Sequence, residues 1–496
     1  MTSGKKKKMK AQRPRGFEDI SGKDYLGIVQ LAESIERVYQ GYGFEPLETS
    51  VIEYSEMIGS FLPDQERPNE GVFSFEDDDG NWLSLRYDLT AGLARYVAEN
   101  FDSLPKPYRR YQSGFVFRNE KSGPGRFRQF LQIDADTVGS ENPLSDAEMC
   151  MMFCDSLENV GIKRGEYLIR LNSRNLLDAL LEQNKIPTED NSEKTYMSVM
   201  RSVDKLDRLG LTAVELLLGK GRKDESGDYT QGAGLDENQI SSILSFLENG
   251  KDTKKLNRLK ALENLEMKFG GSQKFSDAVS ELNAISRIIE NSGYQEDQIA
   301  IDPSVVRGLS YYTGAVYEAD LIFSNNKKLN NYGSVGGGGR YDNLIERLKG
   351  VSVPSSGISI GLSRLASALR LLKEDNPIDG CLDVVVLVMD KEKRSIFYEI
   401  ASQLRKEKII AECYTGDGGM KAQLRYADKR NAKFVVIVGE DEMANDTVTI
   451  KDLARGKELS ENINDNEEWR SGKGSQISIS KDQLIAEIQR KIKKSS

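Results

Sequence analysis

The chain has 496 residues, of which 38% are hydrophobic and 30% are charged, and its formal net charge is −9. At roughly 150 residues per domain this length predicts about three domains, and the apolar content rules out wholesale disorder. The complete absence of histidine excludes Ser-His-Asp and Cys-His catalysis and zinc sites built from His and Cys. The chemistry that remains uses carboxylates, Arg, Lys and Tyr, or a metal held through oxygen ligands.

The chain start and the cysteines exclude further classes of protein. No apolar run approaches the ~20 residues that cross a bilayer. Residues 1–12 form a lysine-rich stretch with no apolar segment behind it, which predicts a flexible basic tail rather than a secretory signal. Cys150 and Cys154 lie four residues apart, which indicates one face of a buried helix. We therefore expect a soluble cytoplasmic protein with reduced thiols, no membrane partner and no zinc.

The first elements in chain order are a helix and a hairpin. Apolar residues recur at helical spacing from Lys23 to Tyr39 and are followed by Gly41, which predicts a long amphipathic helix. The segment from Val72 to Leu85 contains Asp77-Asp78-Asp79-Gly80 between two apolar runs, which predicts a β-hairpin.

A second, longer hairpin is predicted from Tyr108 to Val138, with residues 121–126 as its loop. On its return strand Gln132, Asp134 and Asp136 alternate with apolar residues, so they share one face. An exposed sheet face is the simpler explanation, because antiparallel sheets often face water on one side. A floor lined for a ligand is the alternative.

The rest of the chain changes character twice. Residues 173–298 are dominated by helical patterns and read as a largely helical insertion between two strand-rich blocks, 13–172 and 299–376. Residues 377–496 begin with alternating short strands and helices. This βαβαβ pattern predicts a separate domain with a parallel sheet.

Three arginines stand in motif-like contexts, Arg118, Arg307 and Arg364. A guanidinium group suits phosphate and stabilises charge during phosphoryl or nucleotidyl transfer. The alternative for each is a surface ion pair. The run Gly336–Gly339 lets backbone approach a ligand closely but lacks the ending of a phosphate-binding loop.

Taken together, the segments resemble those of histidine–tRNA ligases, a family of class II aminoacyl-tRNA synthetases. The matching segments are Arg15–Ile20, the helix with Tyr42-Gly43-Phe44 (motif 1), Phe117–Glu120 through Gly125–Phe130 (motif 2), Val306–Gly314 (the histidine signature), and Gly338–Asp342 with Gly361–Leu365 (motif 3). The resemblance implies an α+β catalytic core built on an antiparallel sheet, the helical insertion, and a C-terminal α/β anticodon-binding domain. Ser50, Asn119, Ser310 and Ser363 depart from the usual family pattern.

The resemblance also implies roles for individual residues. The implied catalytic residues are Arg118 and Arg307, which hold the α-phosphate. The implied ATP-binding residues are Arg118, Glu120, Arg126 and Arg364. The implied histidine-binding residues are Asp88, Thr90, Gln132, Asp136, Arg307, Tyr311, Tyr312 and Tyr341.

The implied activity is the ATP-dependent attachment of L-histidine to tRNA(His) through a histidyl-adenylate. ATP with Mg²⁺ enters as substrate, no organic cofactor is bound, and a homodimer is expected. Lys421, Arg425 and Lys429 recur every four residues and so form one helix face, which is either a solvated surface or a contact for tRNA. The alternative function is that of a catalytically inactive paralogue serving as a regulatory subunit of histidine biosynthesis, whose marks are the loss of the arginines and of the C-terminal domain.

Overall fold

The computed structural model describes residues 10–58, 71–120, 127–186, 188, 193–223, 227, 229–306, 312–323, 332–372, 382–455 and 475–495. The chain divides into two compact units, Met1–Ile20 with Gly27–Leu372 and Ser21–Leu26 with Lys373–Ser496. None of the described helices has the length and apolar content needed to cross a bilayer.

Up to Leu372 the structure is a mixed α and β arrangement. Its helices are α1 (Lys23–Gly41), α2 (Ser55–Ile58), α3 (Thr90–Asn100), α4 (Pro143–Asn159), α5 (Arg174–Gln183), α6 (Glu193–Val203), α7 (Leu206–Leu209), α8 (Leu211–Leu218), α9 (Glu237–Glu248), α10 (Gly250–Thr253), α11 (Arg258–Phe269), α12 (Gln273–Asn291), α13 (Glu346–Lys349) and α14 (Leu362–Leu372). Its strands are β1 (Glu45–Pro46), β2 (Ile52–Tyr54), β3 (Ser74–Glu76), β4 (Trp82–Leu85), β5 (Tyr108–Phe117), β6 (Gln129–Val138), β7 (Tyr167–Ser173), β8 (Gly221–Lys223), β9 (Tyr229–Gln231), β10 (Ile299–Ile301), β11 (Ala315–Leu321), β12 (Gly333–Arg340) and β13 (Ser355–Gly361).

An eight-stranded sheet forms the centre of this unit, in the order β1-β5-β6-β13-β12-β11-β7-β10. Neighbouring strands from β5 through β7 are antiparallel, and only the two edge pairs are parallel. Both predicted hairpins are confirmed, with Tyr108 opposite Val138 in the longer one and β3 paired with β4 in the shorter one. The predicted α1 is also confirmed.

The exposed-face interpretation of the return strand β6 is wrong. Gln132, Asp134 and Asp136 are all buried, with 8%, 2% and 2% of their surface exposed. Their apolar neighbours Ile133 and Ala135 are fully buried on the other face. These three side chains therefore do not form an exposed sheet face, because polar groups of other elements pack around them.

The segment from α5 to α12 shares the core of the large sheet. Phe246, Leu262 and Leu282 belong to the same apolar cluster as Ile133 and Leu171. In helix α4, Cys150 and Cys154 are free thiols and fully buried, which confirms the buried-helix prediction. Burial raises the pKa of the Cys150 thiol well above its usual range, so this sulfur stays protonated.

The second unit has its own sheet. Its helices are α15 (Arg394–Lys406), α16 (Met420–Lys429), α17 (Glu440–Ala444), a 3₁₀ turn (Lys481–Gln483) and α18 (Leu484–Ser495), and its strands are β14 (Val384–Val386), β15 (Ala411–Cys413), β16 (Phe434–Ile437), β17 (Thr447–Asp452) and β18 (Gln476–Ser480). The strand order is β15-β14-β16-β17-β18. Pairing of β14 with β15 and β16 is parallel, which confirms the βαβαβ pattern. The two following strands add antiparallel pairs that the sequence analysis did not predict.

Candidate active site

A polar pocket of about 160 Å³ lies on the large sheet at β6, β12 and β13. The sequence-predicted residues that line it are Asp88, Thr90, Arg118, Gln132, Asp136, Tyr312, Tyr341 and Arg364. The fold thus brings together eight candidates that are spread over more than half of the chain. The pocket floor is the polar face of β6, which is the position that the alternative interpretation of the alternating pattern expects.

Five further residues named in the sequence analysis are not among the residues that line the pocket. Arg126, Arg307, Ser310 and Tyr311 lie outside the described residues. Glu120 is described, is exposed, and does not line the pocket; its Oε1 accepts a hydrogen bond of 3.1 Å from the Tyr87 hydroxyl.

Asp136 is held from two sides. Its Oδ2 lies 2.9 Å from Nη2 of Arg110, which is fully buried on the paired strand β5. Its Oδ1 accepts a hydrogen bond from the Tyr341 hydroxyl. Burial raises the pKa of Asp136, while Arg110 and the Tyr341 hydroxyl oppose that rise. The sequence analysis did not name Arg110 as a site residue. The predicted hairpin nevertheless places Arg110 opposite Asp136, which could have identified it.

The glycine at position 357 is required beside this carboxylate. Gly357 pairs with Asp136 across β13 and β6. A Cβ atom at this glycine would lie 2.0 Å from Asp136 Oδ1, well inside contact distance. The glycine therefore leaves room for the carboxylate and its hydroxyl donor.

Asp88 and Thr90 stand at the start of helix α3. Oδ1 of Asp88 accepts hydrogen bonds from the backbone N–H groups of Thr90 and Ala91, at 3.1 and 2.9 Å. These bonds satisfy two of the free N–H groups that a helix start leaves. The same bonds fix Asp88 at the rim of the pocket.

A residue that sequence analysis left out of the site, Asp134, lies between Gln132 and Asp136 on the pocket floor. Burial, partly opposed by Arg110, raises its pKa to about 7. Ser359 on β13 bonds to Asp134 and accepts a 2.7 Å hydrogen bond from Nε2 of Gln132. The strand alternation placed Asp134 on the right face, but the motif comparison gave it no role.

The two described arginines of the pocket are positioned by aromatic rings. The Arg118 guanidinium carbon lies 4.4 Å from the ring centre of Tyr87 and 5.2 Å from that of Phe130. Arg364 donates a 2.8 Å hydrogen bond to the carbonyl of Tyr332 and lies over its ring. Stacking of this kind orients a guanidinium while leaving donors free for an anion.

Helix α14, which carries Arg364, is tied to the pocket floor. The backbone N–H of Leu131 donates a 3.0 Å hydrogen bond to Oγ of Ser363. Ser363, one of the departures from the family pattern, thus has a structural partner on β6. Among the described residues, no cluster of three or more Cys, Asp or Glu side chains could hold a metal ion.

The combination of carboxylates and arginines in one pocket suits a substrate that carries an ammonium group and reacts with a polyphosphate. An antiparallel central sheet that bears such a pocket, followed by an α/β unit, defines a class II aminoacyl-tRNA synthetase. The family model described as histidyl-tRNA synthetase matches residues 16–365, and the model described as anticodon binding domain matches residues 383–491. The chain belongs to the histidyl-tRNA synthetase family, whose activity is the attachment of histidine to tRNA.

Relatives and solved structures agree with this assignment. The chain is 51% identical to the histidine–tRNA ligase of Brucella ovis, over 96% of this chain and 95% of that protein. It is 47% identical to the histidine–tRNA ligase of Mesorhizobium japonicum, over 98% and 97% of the two chains. The crystal structure of histidyl-tRNA synthetase from Nostoc has a TM-score of 0.71 at 30% identity and covers 98% of this chain and 100% of its own.

A Bacillus halodurans structure is described as an ATP phosphoribosyltransferase regulatory subunit/histidyl-tRNA synthetase. It has a TM-score of 0.63 at 20% identity and covers 85% of this chain and 97% of its own. This likeness shows the fold alone, so it gives the regulatory alternative no support beyond shared architecture.

Proposed function

We propose that the pocket on β6, β12 and β13 forms histidyl-adenylate from L-histidine and ATP, and that the histidyl group then passes to tRNA(His). The observation that carries the proposal is the convergence of Asp136, Gln132, Arg118 and Arg364 on one pocket. Carboxylates there select a cationic amino acid, and the guanidinium groups counter phosphate charge.

The histidine side of the site is assigned as follows. Asp88, Thr90 and Gln132 hold the α-ammonium group. Asp136 and Tyr312 bond the two imidazole nitrogens, and Tyr341 positions Asp136 through its hydroxyl. We assign Arg307 and Tyr311 to the amino-acid site as well, because they belong to the segment Val306–Gly314 that matches the histidine signature of the family. Acceptors and hydroxyls at both ring nitrogens favour a five-membered ring with two nitrogens.

On the ATP side, Arg118 and Arg307 hold the α-phosphate while the carboxylate of histidine attacks the phosphorus. The new O–P bond replaces the bond to the β-phosphate oxygen, and pyrophosphate leaves. Arg364 holds the γ-phosphate, and Glu120 and Arg126 contribute to the ATP site. ATP arrives with Mg²⁺, which neutralises phosphate charge. The nucleophile is already ionised, so no protein base is needed.

The partners follow from two surfaces. In the second unit, Lys421, Arg425 and Lys429 are exposed on α16 and form the proposed contact with the tRNA backbone. In the first unit, the sheet β2-β4-β3 exposes Tyr54, Phe75 and Trp82, and this apolar surface supports the proposed homodimer. We place the enzyme in the cytoplasm, with residues 13–172 and 299–376 as catalytic core, 173–298 as insertion and 377–496 as anticodon-binding domain.

The regulatory alternative fits this chain less well. A catalytically inactive paralogue does not require arginines that bind phosphate or a C-terminal anticodon-binding domain. Here Arg118 and Arg364 line the pocket, and the anticodon-binding model matches residues 383–491. These two observations favour the enzyme.

The test is histidine-dependent exchange of labelled pyrophosphate into ATP. Arg307→Ala should abolish the exchange, because loss of one contact to developing charge costs roughly 3 kcal/mol or more. Arg370→Ala, which removes an exposed arginine from α14, is the matched control and should exchange like the wild type. If Arg307→Ala keeps exchange within tenfold of the wild type, the proposed role is overturned.

A further inference from the structure

Two neighbouring acceptors on the pocket floor are buried and unused. Within the described part of the chain, Oε1 of Gln132 and Oδ1 of Asp134 have no hydrogen-bond partner. Both residues point from the same face of β6 into the pocket, at positions about 7 Å apart along the strand. A buried acceptor without a donor costs free energy, and two side by side indicate a missing donor group.

The other carboxylates of the pocket already have donors. Asp136 is bonded by Tyr341 and paired with Arg110. Oδ1 of Asp88 is used by two backbone N–H groups of helix α3. Oδ2 of Asp136 also accepts no hydrogen bond among the described residues, but it lies 2.9 Å from the positive charge of Arg110. Oδ1 of Asp134 is therefore the buried carboxylate oxygen of the described pocket that has neither a hydrogen-bond donor nor an ion-pair contact.

We propose that Asp134 binds the α-ammonium group of the amino acid, together with Gln132, and supplies its main counter-charge. The ammonium group carries three N–H donors and one positive charge, so it satisfies both orphaned acceptors at once. Ser359, bonded to both residues, fixes them next to each other. This inference rests on the proposed function, and it moves the charge of the ammonium subsite from Asp88 to Asp134.

The surroundings of Asp134 add a pH dependence. The charged and titratable groups that act on it are Arg110 on β5, Asp136 on β6, Asp88 before α3, and Tyr39 on α1. Their combined effect with burial places the pKa of Asp134 at about 7 in the empty site. Below that pH the acid is neutral and no longer attracts an ammonium, so amino-acid affinity should fall as the pH drops through 7.

The experiment measures binding of histidinol by calorimetry without ATP. Histidinol keeps the ammonium and the ring but has no carboxylate to activate. Asp134→Asn should weaken it by about tenfold or more, the usual loss for a hydrogen bond to a charged group. Imidazolepropanol, the same molecule without the amino group, should bind wild type and variant equally, which also shows that the variant is folded.

Asp88→Asn serves as the comparison variant. In Asp88→Asn, the affinity for histidinol should still fall as the pH drops through 7. In Asp134→Asn, the affinity should depend on pH only through the titration of the ligand's own imidazole ring. Equal histidinol affinity in wild type and Asp134→Asn would overturn the inference. So would equal weakening of both ligands, which indicates a structural role. If histidine supports no pyrophosphate exchange in the wild type, the proposed function itself fails, which is a separate outcome.

Discussion

At the scale of single residues, Arg110 and Asp136 form a buried ion pair at the pocket floor. Arg110 is completely buried, and its partner Asp136 also receives the Tyr341 hydroxyl. Removing one member of a buried pair leaves an uncompensated charge, which typically costs about 3–5 kcal/mol. The pair therefore links amino-acid recognition to the stability of the hairpin.

Asp136→Asn should raise the KM for histidine far more than the KM for ATP. The amide offers the wrong group to an imidazole N–H in one of its two orientations, and ATP has no contact with this residue in the proposed site. The variant should also unfold at a lower temperature, because Arg110 loses its counter-charge. Steady-state exchange kinetics with each substrate varied in turn, together with a thermal melt, measure both effects. An equal rise in the two KM values would indicate general damage to the hairpin instead.

Sequence alone could place Gln132, Asp134 and Asp136 on one face of β6, because a strand has a period of two. It could not show that this face is buried. Burial depends on β12, β13 and the start of α3, which lie far away in the sequence. The same distance explains why Asp134 received no role. Arg110 was missed although it lies in the same hairpin, opposite Asp136.

At the scale of elements, β12 packs more closely than a strand with side chains could. A Cβ atom at Gly338 would lie 2.0 Å from the carbonyl oxygen of Gly357 and 2.8 Å from the Tyr317 ring. The glycine run at 336–339 therefore serves close packing within the sheet at the pocket.

Gly338→Ala should lower the thermal midpoint markedly or prevent soluble expression. The added Cβ would lie 2.0 Å from the carbonyl oxygen of Gly357, and this backbone atom can move away only if the strand β13 shifts. The matched control is Gly27→Ala in α1, where nothing lies within 4 Å of the added Cβ and where alanine favours the helix by roughly 0.5–1 kcal/mol. Melting curves of the two variants should move in opposite directions. A Gly338→Ala protein as stable as the wild type would contradict the packing argument.

Helix α16 is the element proposed to touch tRNA. Gln423 and Ala427 on it are buried, while Lys421, Arg425 and Lys429 are exposed. Replacing the three exposed cations with glutamine should raise the KM for tRNA and flatten its salt dependence by up to about three phosphate contacts. Pyrophosphate exchange should be unchanged, because it needs no tRNA.

A second triple variant controls for the loss of charge. It replaces three exposed lysines of the first unit, Lys251, Lys255 and Lys260, and removes the same net charge from another surface. Its tRNA KM and salt slope should match the wild type. If the two triple variants have the same KM for tRNA and the same salt dependence, the exposed cations of α16 form an ordinary solvated surface and do not contact tRNA.

Most individual elements were predictable because their signals are local. Helical spacing marked α1, turn residues marked both hairpins, and the βαβαβ alternation marked the second unit. The pairing of β6 with β13 joins strands more than 200 residues apart, which no local pattern reveals. Strands β17 and β18 were missed although both alternate polar and apolar residues, which is the pattern of a half-buried strand.

At the scale of the whole molecule, the absence of histidine leaves buried acids to set the pH dependence of stability near neutrality. Burial raises the pKa of Asp134 and of Glu281 to about 7, and that of Asp320 to about 6. In the unfolded chain these acids titrate near 4. The folded protein thus binds more protons than the unfolded chain between about pH 4 and 7, so stability falls as the pH rises through that window.

We therefore expect the protein without ligands to unfold at a higher temperature at pH 6 than at pH 8. Glu281→Gln should reduce this difference, because the amide cannot ionise and its contribution no longer depends on pH. Thermal melts at constant ionic strength across this range measure the effect. A midpoint that rises steadily from pH 6 to pH 8 would contradict the assignment of these acids as the groups that titrate.

In the proposed mechanism, one pocket activates histidine with ATP and no other amino acid. The most direct measurement is pyrophosphate exchange with the wild-type enzyme and each of the twenty amino acids in turn, followed by charging of tRNA with the amino acid that supports exchange. We predict exchange with histidine alone and transfer of histidine to tRNA(His). Exchange with a different amino acid, or none with histidine, would contradict it.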